Sequence, residues 1–218
     1  KLDESSSNGP MQAYIADELL FRHWTEYKGE KESYLVLFDT REKKYQTIVS
    51  SDVLSGTYML GGGPKYAFSP DSRVLAYVSS PEKNIANSTN TDIYLLPIGG
   101  KDAVNITLAN DAWDGAPVYS PDGKFIAYKT HSIPGFEADR FRIAVYNTQT
   151  LKSEVLTESF DYTTDNLSWS SDSKSIYFLA DNRGYSPVYK VDVETKNVTK
   201  ITDDKAVRGY QTNKEEKN

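Results

Sequence analysis

A short stretch near the middle of the sequence is the clearest candidate for ligand binding. Phe136, Glu137, Asp139 and Arg140 place charges of both signs beside an aromatic ring. Such a set can hold a charged ligand through charge-assisted hydrogen bonds. Asp139 and Arg140 can equally pair with neighbouring groups and so order the loop that carries them. The sequence leaves both alternatives open.

The groups needed for covalent catalysis are missing. The chain has no cysteine and no Gly-x-Ser-x-Gly nucleophile elbow, and its two histidines are His23 and His131. His23 lies between Arg22 and Trp24 in a predicted strand with no base partner in view, which is typical of a structural histidine. His131 begins a predicted loop, where we expect it to be solvated. We therefore predict no catalytic residue, and no peptidase or esterase activity for this chain.

Two further motifs resemble ligand loops only superficially. Gly61-Gly62-Gly63-Pro64 lacks the Gly-Lys-Ser/Thr of a phosphate loop and precedes no helix pattern, so it predicts a flexible turn. The stretch 110–115 faintly resembles a calcium loop, but Ala112 removes one oxygen ligand and Pro121 stands where the closing Glu belongs. We expect no cofactor and no metal.

Composition narrows the range of partners. The 25 basic and 31 acidic side chains give a net charge of −6, and no basic tract is present, so nucleic-acid binding is not expected. No uncharged apolar stretch reaches the roughly 18 residues that a membrane span needs, so no membrane contact is expected either. With 38% hydrophobic residues, the chain can bury a sizeable core.

The sequence repeats itself, and the repeat determines the predicted fold. Phe68-Ser69-Pro70-Asp71-Ser72 recurs as 119–123 and again as 169–173, with the first serines 51 and then 50 residues apart. Ser, Pro, Asp and Gly favour tight turns, so each copy predicts an aromatic strand, a turn and a returning strand. The aliphatic residues six positions after each serine, Leu75, Ile126 and Ile176, fall in that returning strand.

Two more strands follow in each copy, so that each repeat is a four-stranded meander. An earlier copy lacks the turn motif but keeps strand patterns at 18–24, 34–39 and 45–49, and we expect Leu20 in its second strand. Four-stranded units at a period of about 50 predict an all-β chain, a β-propeller of about four blades forming part of a ring. The predicted blades cover residues 13–60, 61–112, 113–163 and 164–202. A polar segment, 1–12, precedes them, and a polar tail, 203–218, begins a further blade.

Particular residues carry a family resemblance. The stretch 119–128, Tyr-Ser-Pro-Asp-Gly-Lys-Phe-Ile-Ala-Tyr, resembles the repeat shared by periplasmic TolB-like proteins and the N-terminal propellers of prolyl oligopeptidase-family serine peptidases. Stretches 17–27, 88–94 and 134–140 are similar to the propeller of the dipeptidyl-peptidase V and acylaminoacyl-peptidase branch. The resemblance spans about residues 13–202 and favours a periplasmic or secreted location over a cytoplasmic one.

The resemblance implies a role inside a larger enzyme. Peptidases of that family carry an α/β-hydrolase domain with a nucleophile elbow, which this sequence lacks. The implied function is a non-catalytic propeller that gates and shapes a peptide-substrate cavity. Acidic propeller side chains of related dipeptidyl peptidases hold the substrate's α-amine, which makes Glu137 the first candidate anchor, with Phe136, Asp139 and Arg140 beside it.

Two alternatives belong to other functional classes. A TolB-like propeller would act as a protein-binding scaffold with no peptidase domain. A propeller-type glycan lyase or hydrolase would need paired acids or metal ligands that face the axis, and none occur at suitable spacing.

Two structural expectations accompany this interpretation. The long insertions at 50–64, 80–90, 107–115 and 132–139 should converge on one face, because they all join strands at the same end of the blades. An open arc of blades should also self-associate through its unpaired ends, unless charged stretches such as Lys214–Lys217 protect them.

Overall fold

The computed structural model describes residues 22–23, 26–27, 34–49, 65–82 and 88–213. Several sequence predictions lie outside these residues: segment 1–12, Leu20 with most of the strand at 18–24, the whole insertion at 50–64 with its glycine run, residues 83–87 of the insertion at 80–90, and Lys214–Lys217. Within the described residues the secondary structure is β-strand with turns, and no helix occurs that could cross a membrane.

The chain divides into two compact units, Lys1–Met59 with Ser80–Ser88 and Leu60–Ser79 with Thr89–Asn218. The first unit contains two antiparallel strand pairs. These are β1 (Arg22–His23) with β2 (Glu26–Tyr27), and β3 (Leu35–Asp39) with β4 (Lys44–Val49). The predicted strands at 34–39 and 45–49 are therefore confirmed.

The second unit contains three four-stranded antiparallel sheets. Blade I consists of β5 (Tyr66–Phe68), β6 (Val74–Ser79), β7 (Asp92–Pro97) and β8 (Val104–Asn105). Blade II consists of β9 (Asp114–Tyr119), β10 (Phe125–Thr130), β11 (Arg142–Asn147) and β12 (Lys152–Val155). Blade III consists of β13 (Thr164–Trp169), β14 (Ser175–Ala180), β15 (Val188–Asp192) and β16 (Val198–Lys200).

In each blade the strands pair in chain order, so each is the predicted meander. Leu75, Ile126 and Ile176 lie in the second strands and are buried. The first strand of blade II packs against the first strands of both neighbouring blades, as expected where the innermost strands of a propeller surround its axis. The all-β propeller fold is confirmed.

The repeated turn motif builds the same hydrogen bonds in all three blades. Each serine Oγ donates to the aspartate two residues later, at 2.6 Å from Ser69, 2.7 Å from Ser120 and 2.7 Å from Ser170. The residue after each aspartate has a positive φ, 59°, 72° and 62° at Ser72, Gly123 and Ser173. Small residues stand there because a left-handed backbone penalises bulky side chains.

A second repeated contact was not anticipated from the sequence. The hydroxyl Oγ1 of a threonine after each fourth strand accepts a hydrogen bond from the amide of the first or second residue of the third strand. The pairs are Ile93 N to Thr107 at 3.0 Å, Ile143 N to Thr157 at 2.8 Å and Val188 N to Thr202 at 3.0 Å. These threonines extend the strand pairing where the β-ladder ends, at the edge that carries the insertions.

Neighbouring blades are joined by backbone hydrogen bonds and by a shared core. The amide of Asp114 donates to the carbonyl of Thr91 at 2.8 Å, and the amide of Thr164 to the carbonyl of Phe141 at 3.0 Å. Between blades II and III, the Trp169 indole N–H donates to the carbonyl of Val118 at 2.9 Å. Aromatic and aliphatic side chains of β11, β14 and β15, including Phe178, fill the space below it.

Candidate functional site

The candidate site centres on the loop of residues 131–141, which joins β10 to β11 at the face where blade II connects to blade III. The side chain of Asp139, near the end of the loop, binds residues at its beginning. The Asp139 carboxylate accepts hydrogen bonds from the amides of Ser132 and Ile133, at 2.7 Å and 3.2 Å. The Arg142 guanidinium lies 3.2 Å from the same carboxylate. Asp139 thus ties the beginning of the loop to its end.

The charge of Asp139 is well stabilised in this position. Burial opposes ionisation, but the Ser132 amide and the Arg142 guanidinium outweigh it and lower the pKa of Asp139 below its ordinary value. The carboxylate is therefore ionised at neutral pH. The partners that it binds are residues of the loop and the adjoining Arg142.

Arg140 joins the same loop to the connection between β12 and β13. Its guanidinium donates to the carbonyl of Glu158 at 2.6 Å, to that of Thr157 at 3.3 Å and to that of Phe160. Those carbonyls lie beyond the last strand of blade II, so Arg140 supplies donors that the β-ladder no longer provides. Asp139 and Arg140 make the loop-ordering contacts that the sequence left open as an alternative.

The tip of the loop differs from its base. Phe136 has 49% of its surface exposed, and Glu137 is also exposed. The tip backbone is held by the Gly135 amide, which donates to the Thr89 hydroxyl at 3.0 Å. Among the described residues no hydrogen bond or ion pair engages the Glu137 carboxylate.

Thr89 is near the end of the predicted insertion 80–90 and Gly135 lies in the predicted insertion 132–139, so this bond links the two at that point; the convergence of all four insertions stays a prediction. The structure therefore brings the four predicted site residues into one loop but divides their roles. Two side chains hold the base, and two lie free at the tip.

Beneath the loop, His131 occupies a place that the sequence analysis did not predict. It was expected to be solvated, but only 2% of its surface is exposed, so that expectation was wrong. Its ring stacks on Phe141 with centroids 4.1 Å apart and lies 5.9 Å from Trp113. Burial lowers the pKa of His131. The histidine starts the loop in sequence, but its side chain turns inward to fill the aromatic cluster.

A buried carboxyl group, Asp114, lies next to this cluster. The Asn110 side-chain amide donates to Asp114 at 3.1 Å, to the Thr130 hydroxyl at 3.1 Å and to the His131 carbonyl at 3.0 Å. Burial raises the pKa of Asp114 to about 7, even though the hydrogen bonds from Thr130 and Asn110 oppose the rise. Over the described residues, no group of three or more acidic or histidine side chains could hold a metal ion.

Sequence comparison gives this architecture a family context. No family model matches the chain. Dipeptidyl-peptidase 5 of Porphyromonas gingivalis is 29% identical over 196 residues, which cover 86% of this chain and 28% of that protein. The resemblance to the dipeptidyl-peptidase branch is confirmed. The chain spans little more than a quarter of the length of such relatives.

Comparison with solved structures supports the fold. A puromycin-hydrolysing peptidase of Mycobacterium tuberculosis superposes with a TM-score of 0.59 at 15% identity, over 81% of this chain and 28% of that one. TolB of Acinetobacter baumannii superposes with a TM-score of 0.53 at 24% identity, over 78% and 37%. At these identities the likeness shows the propeller fold alone. The sequence relatives add that this propeller is similar to part of dipeptidyl-peptidase 5.

Proposed function

We propose that this chain is the non-catalytic propeller portion of a serine exopeptidase of the dipeptidyl or acylaminoacyl type. In the whole enzyme it would gate access to the peptide-substrate cavity and shape that cavity, while an α/β-hydrolase domain supplies the serine, aspartate and histidine. The observation that carries this proposal is the loop at 131–141. It has a firmly anchored base and presents a free carboxylate and an exposed ring at its tip.

This division suits a peptide-binding loop because a binding group must be held in place without being neutralised. The hydrogen bonds of the Asp139 and Arg140 side chains hold the loop in place, so these two would act as positioning residues. Glu137 would accept hydrogen bonds from the free α-amine of the substrate. Phe136 would cover the first side chain of the peptide.

The first test is whether the native reading frame continues past Asn218 into an α/β pattern with a nucleophile elbow. If it does, kcat/KM should be measured for the whole protein with Glu137→Gln, on dipeptide substrates with a free and with an acetylated α-amine. We expect a loss of about tenfold or more on the free-amine substrate, because a charge-assisted hydrogen bond is removed. The acetylated substrate should be nearly unaffected.

Glu194→Gln is the matched control. Glu194 is an exposed glutamate in the hairpin between β15 and β16, at the opposite end of the strands from the loop. It should leave both substrates unchanged. Equal losses on both substrates would refute the anchoring role of Glu137. A reading frame without a nucleophile elbow would instead favour the alternative of a protein-binding scaffold.

A further inference from the structure

A separate pocket of about 290 Å³ opens on the innermost strands of blades II and III. Its lining is partly apolar, from Val118, Leu167 and Leu179. The lining also carries charge, from Lys129, Asp165 and Arg208. None of these residues belongs to the loop at 131–141. The volume is close to the lower limit for small-molecule sites and suits a ligand the size of one amino-acid residue.

The backbone around this pocket is distorted in the same way in both blades. The register shifts in β9 and again in β13, where an extra residue bulges out of each ladder. Ala116 and Asn166 line the pocket at these bulges, and both have a φ of 54°. A left-handed conformation is costly for residues other than glycine, and such bulges concentrate next to binding sites.

The charge of Lys129 is already balanced. Its side chain is 3% exposed, and its ammonium lies 2.9 Å from the Asp165 carboxylate, whose side chain is 64% exposed. The same ammonium lies 4.2 Å from the centroid of the Phe141 ring. Lys129 and Asp165 thus form an ion pair with no net charge, of which only the Asp165 carboxylate is accessible to solvent.

Arg208 differs because its charge is not balanced. It is exposed, and within residues 88–213 and the other described segments no hydrogen bond or ion pair holds its guanidinium. Its backbone is nevertheless fixed on both sides. The Val207 amide donates to the Ser186 carbonyl at 3.3 Å, and the Tyr210 hydroxyl donates to the Asn166 carbonyl at 2.5 Å. The pocket therefore has one uncompensated positive charge on an anchored segment.

We propose that this pocket binds a carboxylate carried on a small apolar body. Arg208 would bind the carboxylate through two parallel hydrogen bonds. The apolar lining residues Val118, Leu167 and Leu179 would contact the rest of the ligand. Two sources share this chemistry, the carboxyl-terminal residue of a peptide and an acidic side chain within one. The proposal goes beyond the proposed function, because it needs no hydrolase domain and does not involve Glu137.

The test is a titration of the ¹⁵N-labelled chain with three probes, followed by the amide signals of Asn166, Leu167 and Gly209. N-acetyl-leucine carries a terminal carboxylate, N-acetyl-glutamate α-amide carries only a side-chain carboxylate, and N-acetyl-leucinamide carries none. We expect saturable shifts with at least one carboxylate probe, and binding at least tenfold weaker for leucinamide. The better carboxylate probe identifies the source.

Two substitutions should change the affinity in opposite directions. Arg208→Gln should weaken carboxylate binding at least tenfold, because the positive charge and the paired donors are lost. Asp165→Asn should strengthen it several-fold, because the Lys129 ammonium is then no longer neutralised. Arg73→Gln, at an exposed arginine of the first turn motif, should have no effect. A merely structural role for these residues would not produce a gain.

Three results would overturn the proposal: no saturation with either carboxylate, equal binding of leucinamide, or unchanged binding in Arg208→Gln. Signals far from the pocket report whether each variant is folded. Arg208 is exposed, so its replacement should not disturb folding. If Asp165→Asn misfolds, the carboxylate affinity of Arg208→Gln alone tests the proposal.

Discussion

The two ends of the blades in the second unit are constructed differently. At one end, the Ser-x-Asp turns of the three blades make the same short-range hydrogen bonds. At the other end, the loop at 131–141 is ordered by contacts between segments far apart in the chain. Arg140 reaches the carbonyl of Glu158, and the Gly135 amide reaches Thr89.

The two ends therefore differ in how far along the chain their hydrogen-bond partners lie. The turns rely mainly on hydrogen bonds within each turn, with one link between blades from the Asp122 amide to the Ser173 hydroxyl at 3.1 Å, so we expect the loss of each turn aspartate to have a similar effect. The insertion end of blade II depends on these long-range contacts and on the aromatic cluster of His131, Trp113 and Phe141, next to which Asp114 is buried. The following predictions test that contrast, from the largest expected effect to the smallest.

Asp114→Asn should change the pH dependence of stability. Burial raises the pKa of Asp114 to about 7, so between pH 4 and pH 7 the folded chain keeps a proton that the unfolded chain has released. The free energy of unfolding therefore falls as pH rises through this range. In the asparagine variant, the free energy of unfolding should not show this decrease with pH. The variant should therefore be more stable than the parent by up to about 4 kcal/mol at pH 8, with little difference at pH 4.

Urea denaturation of both proteins at the two pH values measures this effect. Asp161→Asn is the control, because Asp161 is exposed and its replacement should not alter the pH profile. Parallel pH profiles for the parent and Asp114→Asn would contradict the prediction.

Gly115→Ala should destabilise the insertion end. A Cβ at this position would lie 2.5 Å from the Trp113 ring, which packs 4.9 Å from the Phe141 ring and cannot easily move. We expect a loss of about 2 to 3 kcal/mol from overpacking, measured by thermal unfolding. Gly209→Ala meets no atom within 4 Å and should be nearly neutral, so an equal loss in both variants would refute the steric explanation.

The turn end should respond evenly to substitution. Asp71→Ala, Asp122→Ala and Asp172→Ala each remove a hydrogen bond from a serine hydroxyl and one from a backbone amide. Each should lower the urea midpoint by a similar, small amount, because these bonds are exposed or only partly buried. Three similar midpoints in urea would support a modular end. A cost several times larger in one blade would mean that its turn is coupled to the rest of the fold.

Self-association stays a prediction from the sequence, and we expect it to be weak. The segment after blade III already covers part of that blade, where Thr212 meets the Ser168 hydroxyl at 3.2 Å and Tyr210 bonds Asn166. Light scattering over a concentration series should detect association that increases when residues 206–218 are removed. A constant mass of 24.5 kDa for the intact chain at every concentration would contradict it.

The blade architecture could be predicted from the sequence because its determinants are local. Ser120 and Asp122 are two residues apart, and the alternation around Ile126 and Tyr128 marks one face of one strand. Such features recur in register and need no knowledge of distant segments. The capping threonines, such as Thr157, were also accessible, since each follows an aliphatic residue at the end of a fourth strand, but a single threonine is too common to stand out.

The sequence by itself determined the strands, the turns and the candidate loop with its four residues. Only the tertiary structure decided which of those residues are free, because Asp139 finds its partners when the loop closes on itself and Arg140 when the loop packs against the chain around Glu158. The same holds for His131, which a polar neighbourhood in sequence made to look solvated. Lys129 and Asp165 are likewise 36 residues apart and meet only when two blades pack together. Burial and long-range pairing depend on how the blades pack, and the sequence pattern does not encode them locally.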